Sequence, residues 1–144
     1  MSNLEQLLDK FQQHAGISEK ITLPHTLIFD DSLQVNCSEN KSTALLTGEV
    51  INMNEVAEGT SLLHSLMQLN LVRMYDRQAI LCLDQSSAGV ELFRRFEPAG
   101  TDVELFNQYL EDFINELEFW QDNARMLCQK NHTVQQNNFT FLVP

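Results

Sequence analysis

The sequence predicts an α+β fold: helices laid over a twisted antiparallel sheet, in the order helix, three strands, helix, two strands, helix. Three observations carry this. Segments near both ends and one in the middle place apolar residues at helical spacing, whereas the stretches between them alternate apolar and polar residues with the period of two that marks a half-buried strand. Short polar turns separate the alternating stretches. The strands therefore come in runs, without the βαβ alternation that a parallel sheet requires, and runs of strands flanked by helices argue helices packed on one face of an antiparallel layer.

The chain opens with Ser2 and Glu5 as a capping box, and Leu4, Leu7, Leu8 and Phe11 follow at i, i+3, i+4 and i+7, so an amphipathic helix runs to about Gly16. After Pro24 the pattern becomes that of strands: HTLIFDD, then LQVNCSE across a turn at Asp30-Asp31-Ser32, then STALLTGEVI across the polar turn from Ser38 to Lys41. Helical spacing returns in SLLHSLMQLN, Ser61 to Asn70, where Leu62, Leu66 and Leu69 share one side and Leu63 and Met67 lie beside them. A short helix apolar nearly all round has to be covered on two sides. QAILCLD and GVELFRRF, joined at Gln85-Ser86-Ser87-Ala88, read as a second hairpin.

The last helix begins behind Pro98 and Gly100, with Thr101 and Glu104 as its expected capping box. Val103, Phe106, Leu110, Phe113, Leu117, Trp120, Ala124 and Leu127 form a single stripe, and the opposite side is acidic: eight acidic residues and no basic one occur between Glu97 and Asp122. Residues 1–128 are expected to form a single domain. Residues 129–144 read as a polar C-terminal tail, flexible or forming a short extra strand from the alternation of Phe139, Phe141 and Val143.

With 144 residues, 43% of them apolar, the chain can bury one core and shows no internal repeat or linker. It has no run of eighteen apolar residues, and its first residues, MSNLEQLLDKFQQ, lack the basic and apolar regions of a signal peptide. The expected location is the cytoplasm, where Cys37, Cys82 and Cys128 remain thiols. Twenty acidic against nine basic side chains give a formal charge of −11, which repels nucleic acid and anionic membrane and attracts cationic partners. Solubility alone also accounts for such a charge, which therefore excludes more than it proves.

Enzymatic signals are poor. No nucleophile elbow, phosphate-binding loop or dinucleotide fingerprint is present, and His14, His25, His64 and His132 form no metal-ligand spacing with one another or with the cysteines, so no metal or cofactor is expected. Each histidine reads as an ordinary helix or loop residue. Cys82 in QAILCLD reads as a small buried hydrophobe, whose thiol burial would deactivate. Glu111, Asp112, Glu116 and Glu118 read as one solvated helix face, with no pocket to tune them as catalytic carboxylates. What remains is apolar surface beyond the needs of a monomer, which points to binding other polypeptides.

The order of elements, the helix SLLHSLMQLN ending at Asn70, the strand residues Leu81, Leu83 and Asp84, and the closing helix with Asp102, Leu105, Leu110, Phe113 and Trp120 together resemble the class I type III secretion chaperones, the Tir chaperone (CesT) family. The likeness spans about residues 2–127. Arg94-Arg95 departs from it, falling in a strand that the family keeps more apolar. The resemblance implies a homodimer with an interface built from Leu62, Leu63, Leu66, Met67, Leu69, Ile80 and Cys82. It also implies a secreted effector as partner, its N-terminal segment bound extended along Leu4, Leu7, Leu8, Phe11, Leu27, Phe29, Leu45 and Thr47, with the export ATPase as a further partner. An acidic adaptor or immunity protein that clamps a folded basic partner is the alternative that composition leaves open.

Overall fold

In the computed structural model, which describes residues 2–30, 32–56, 59–84 and 88–141 and side chains as far as Gln129, the first helix is α1 (Asn3–Ala15). It starts where Ser2 Oγ accepts the Glu5 amide at 3.2 Å, one half of the expected capping box. It ends on Gly16, whose left-handed φ of +73° lets its amide reach back to the Gln12 and Gln13 carbonyls.

The remaining elements are β1 (His25–Phe29), β2 (Leu33–Asn40), β3 (Thr43–Asn52), α2 (Gly59–Arg73), β4 (Ile80–Leu83), β5 (Gly89–Phe96) and α3 (Val103–Phe141), with 3-10 turns at Met53–Glu55 and Pro98–Gly100. This is the expected order. The strands form one five-stranded antiparallel sheet in the order β1-β2-β3-β5-β4, which leaves β1 and β4 as edges. Register across the first three strands puts Thr26 opposite Asn36 and Asn36 opposite Thr47, and the Thr26 hydroxyl donates to Asn36 Oδ1 at 2.7 Å.

The chain divides into two compact units. The first comprises Met1–Gly48 and Phe93–Glu116. Alternation there is clean: Leu27, Leu33, Val35, Cys37, Ala44 and Leu46 are buried, while Thr26, Ile28 and Gln34, pointing the other way, are exposed. Phe106 of α3 is fully buried, with Phe11 edge-on at 5.4 Å and Phe96 at 5.7 Å, pairs worth about 0.5–1.5 kcal/mol each beyond their area. Gln12 and His25, both buried, lie in hydrogen-bond contact at 3.0 Å and tie α1 to β1. His25 is thus a core histidine rather than a loop residue; burial is tolerated because the ring nitrogen is partnered.

The second unit comprises Glu49–Leu92 and Leu117–Pro144. Its buried apolar residues include Val50, Leu62, Leu66, Leu81, Val90, Leu92, Leu117, Trp120 and Ala124. Asn70 Oδ1 accepts the Leu81 amide at 3.1 Å and so anchors the end of α2 to β4. The Gln121 amide donates to the Glu49 carbonyl at 2.9 Å, and the Arg73 guanidinium lies 3.6 Å from the centre of the Phe119 ring.

Several boundaries differ from expectation. Asp102, not Thr101, caps α3: its carboxylate accepts the Leu105 amide at 2.8 Å, whereas the Thr101 hydroxyl donates to the Glu97 carbonyl and closes the preceding 3-10 turn. α2 runs three residues past Asn70, to Arg73. α3 continues as helical backbone to Phe141, so residues 139–141 are not a strand. The Gln85–Ser87 part of the β4–β5 connection, Asp31 of the β1–β2 turn and the last three residues lie outside the described residues.

Candidate protein-binding surfaces

Burial sorts the expected contact residues into two groups. In the first unit Leu4, Leu8 and Leu27 are 0, 0 and 6% exposed. They form the unit's own core and offer a partner no surface, because an amphipathic stripe that packs on a sheet is consumed by that packing. Leu7 is also buried. Phe11 and Phe29 are half-buried, as are Leu45 and Thr47, which point to the opposite side of the sheet from Leu27. That side, the open face, carries Ile28 at 63% exposure together with Thr26, Gln34, Asn36 and Ser38. Ile28 lies on β1, which among the described residues is an edge strand paired only with β2. Sequence alternation could have identified Ile28, since it must face away from Leu27.

In the second unit Leu62 and Leu66, two of the residues expected at an interface with another chain, are fully buried within the chain itself. The apolar girdle of α2 has an inner side and an outer one, and these two occupy the inner side. Leu63, Leu69, Ile80 and Cys82 are half-buried and Met67 is 36% exposed. A run of exposed apolar side chains lies just beyond the expected end of the helix: Leu71 at 64%, Val72 at 66%, Met74 at 47% and Tyr75 at 87%, with Leu83 of β4 at 51% and Met126 of α3 at 58% elsewhere in the unit. The run LVRMY carried that signal in plain sight.

Three expectations about polar residues also change. Cys82 is half-buried rather than buried, and its thiol pKa is raised by desolvation, then by Glu91 and Asp84; Cys37 is the fully buried cysteine, its pKa pushed up to about 12 by burial. Glu116 is buried at 7% exposure, while Glu111, Asp112 and Glu118 are exposed as expected. Arg94 points inward from β5 without interrupting it, its guanidinium 4.1 Å from the centre of the Tyr109 ring. Desolvation lowers the Arg94 pKa, and Tyr109 and Asp112 oppose that shift, so a cation–π contact makes a buried arginine tolerable. Raised thiol pKa values in Cys37 and Cys82 work against a thiolate nucleophile. Among the described residues no group of three or more His, Cys, Asp or Glu side chains could hold a metal ion, and no helix is long and apolar enough to cross a membrane.

The family model described as the Tir chaperone protein (CesT) family matches residues 3–121. The chain belongs to that family. Its fold is similar to solved structures of such proteins: the ExsC–ExsE complex (TM-score 0.69, 22% identity, 85% of this chain and 96% of that one) and the HopA1–SchA chaperone–effector complex (0.68, 15%, 83% and 94%). It is also similar to the Yersinia pestis type III secretion chaperone SycH in complex with a fragment of YscM2 (0.58, 15%, 81% and 98%). No curated protein sequence matches the chain. The family match stops at residue 121, twenty residues before α3 of this CesT-family chain ends at Phe141.

Proposed function

We propose that this CesT-family protein is a cytoplasmic export chaperone that binds the N-terminal segment of a type III secreted effector, keeps it extended and soluble, and delivers it to the export ATPase. The observation that supports it most directly is the free side of β1 beside the exposed Ile28. An extended client segment pairs with that edge through main-chain hydrogen bonds and lays alternate side chains over Ile28, Leu45 and Thr47. A segment held in this way cannot fold or self-associate, and part of the gross binding energy, about 2–5 kcal/mol or more, is consumed in ordering it. The mechanism needs binding and no chemistry.

The protein acts as a homodimer, joined through the apolar residues that α2 and its continuation leave exposed or half-buried: Leu63, Met67, Leu69, Leu71, Val72, Met74 and Tyr75, with Ile80, Cys82 and Leu83 of β4. Covering them removes the apolar surface that α2 and β4 leave in water. The acidic side of α3, with Glu104, Glu111, Asp112, Glu118 and Asp122 exposed, keeps the loaded complex soluble and attracts basic segments over long range. The test is co-expression with the first hundred or so residues of secreted proteins from the same genome, followed by hydrogen exchange on the complex that co-purifies. Slowed exchange of amides in His25–Phe29 is expected; a complex that forms with those amides unchanged would overturn pairing at the edge.

A further inference from the structure

α3 keeps its stripe beyond the part of the chain that buries it. From Val103 to Phe141 the same steps of three and four residues run without a break, and past Leu127 they fall on Asn131, Val134, Asn138 and Phe141. Leu117, Trp120 and Ala124 on that stripe are buried. None of the described residues after Ala124 is: Leu127 is half-buried and Met126 is 58% exposed. The family match has already ended at residue 121. A helical period sustained well past about 25 residues marks a helix that winds around another. A straight helix drifts off such a stripe by about 20° every seven residues, so a strict 3-4 repeat asks for a left-handed supercoil.

We propose that α3 beyond Ala124 pairs with the same segment of a second copy of this chain as a short parallel coiled coil in register, with Leu127, Val134 and Phe141 as apolar layers and Asn131 and Asn138 as polar ones. The asparagines select the partner. Each amide carries both a donor and an acceptor, so an asparagine facing its own twin satisfies both. That happens only when the two helices run parallel and in register. An antiparallel pair, or one slipped by a single layer, sets each asparagine against Leu, Val or Phe and leaves buried amides without partners. A second copy offers asparagine at both layers by identity. Charge agrees with this choice. Every acidic residue of the chain lies at or before Asp122, so two acidic bodies repel each other, whereas the positions flanking the seam, Cys128, Lys130, Gln135 and Asn137, carry no acid. The seam from Leu127 to Phe141 is about 21 Å long, two heptads. Free helices of that length are marginal in water, but this one continues a helix whose earlier turns are already packed.

The test is disulfide trapping in the full chain. Cys82 and Cys128 are replaced by serine, Cys37 stays because it is fully buried, and one new cysteine is placed in the seam (Val134→Cys) or away from it on the same helix (Gln136→Cys). Covalent dimer is followed over time in a glutathione buffer on non-reducing gels and by intact mass. In a parallel pair the two seam positions face each other within the 4.4–6.8 Å or so that a disulfide spans, so Val134→Cys is expected to cross-link at least about tenfold faster than Gln136→Cys. Adding Asn131→Asp, which sets two carboxylates face to face in the layer one turn away, is expected to slow trapping at Val134→Cys by a similar factor and to leave Gln136→Cys as it was. Equal rates at the two positions mean that two tails merely meet, and they overturn the coil. So does the absence of covalent dimer at both, which leaves the stripe to a different partner. Trapping at Val134→Cys that ignores Asn131→Asp overturns the asparagine layers and the register with them.

Discussion

Leu71→Gln should dissociate the dimer without unfolding the protomer. Leu71 is 64% exposed in the single chain, and burying a leucine side chain fully is worth about 1.5–3 kcal/mol, so covering its exposed share contributes about 1–2 kcal/mol. A two-fold interface uses the residue twice, which doubles the loss to about 2–4 kcal/mol and raises the dimer dissociation constant roughly 30- to 1000-fold. Glutamine keeps helix propensity close to that of leucine, so α2 itself is not weakened. Sedimentation velocity over a dilution series reads the constant, and thermal melting at a concentration where both proteins are monomeric reads the protomer. Leu66 supplies the contrast. It is fully buried inside the chain, and Leu66→Asp places an unpaired charge in the core, so that variant is expected to unfold rather than to yield a folded monomer. A dissociation constant for Leu71→Gln within threefold of the parent would show that the exposed end of α2 is not the interface, and a strictly monomeric parent would sink the reasoning at its root.

Asp102→Ala should cost about 1 kcal/mol by removing the α3 cap, whereas Thr101→Ala should cost less because its hydroxyl only closes the 3-10 turn; chemical denaturation of both variants compares them. Glu91 has its pKa raised by desolvation first, then by Asp84 and Glu49, so the folded state binds a proton more readily than the unfolded one. Its stability penalty is therefore absent below the ordinary carboxylate range and grows as pH rises through that range to the folded-state pKa. Glu91→Gln should accordingly melt higher than the parent at neutral pH, with the gap closing as pH falls to about 4. Cys37, buried and with its pKa at about 12, should resist alkylation in the native protein and react at the rate of global unfolding, read by mass spectrometry in a denaturant series. Replacing Cys37, Cys82 and Cys128 together by serine or alanine should leave client binding intact, which a co-purification assay decides.

The order of elements was legible because period and turn chemistry agree along this chain: Leu33, Val35 and Cys37 alternate with Gln34, Asn36 and Ser38, and the α3 stripe keeps its 3-4 spacing for seven steps. Caps were legible only in part. T-x-x-E at Thr101 and D-x-x-L at Asp102 both offer an oxygen to the first turn, and the choice fell to where the 3-10 turn ends, which no local pattern fixes. Arg94 was opaque for another reason. Its partner Tyr109 lies fifteen positions away on another element, so the contact that allows an inward arginine on β5 has no signature in the strand itself. Glu116 likewise sits among acidic neighbours that are exposed, and one helical step turns it inward.

The contact residues were harder to read than the fold, because an apolar periodicity states that a side chain leaves water and is silent about which chain takes it in. Leu4, Leu8, Leu62 and Leu66 satisfy that demand inside their own units, where each is fully buried. The discriminating quantity is what remains wet after folding. For α2 the remainder is concentrated at Leu71, Val72, Met74 and Tyr75, and for the sheet at Ile28 on an edge strand. Edge strands are ordinarily blunted by charge, proline or a covering element, since an open row of amides and carbonyls recruits other chains. Here the exposed side chains of β1 are a threonine and an isoleucine. An edge left in that state suits a protein that adds another polypeptide's strand. The same physics implies that Ile28→Lys should lower client affinity and also lower aggregation of the client-free protein, two effects of one removed apolar contact; a variant that changed neither would leave the edge without a role.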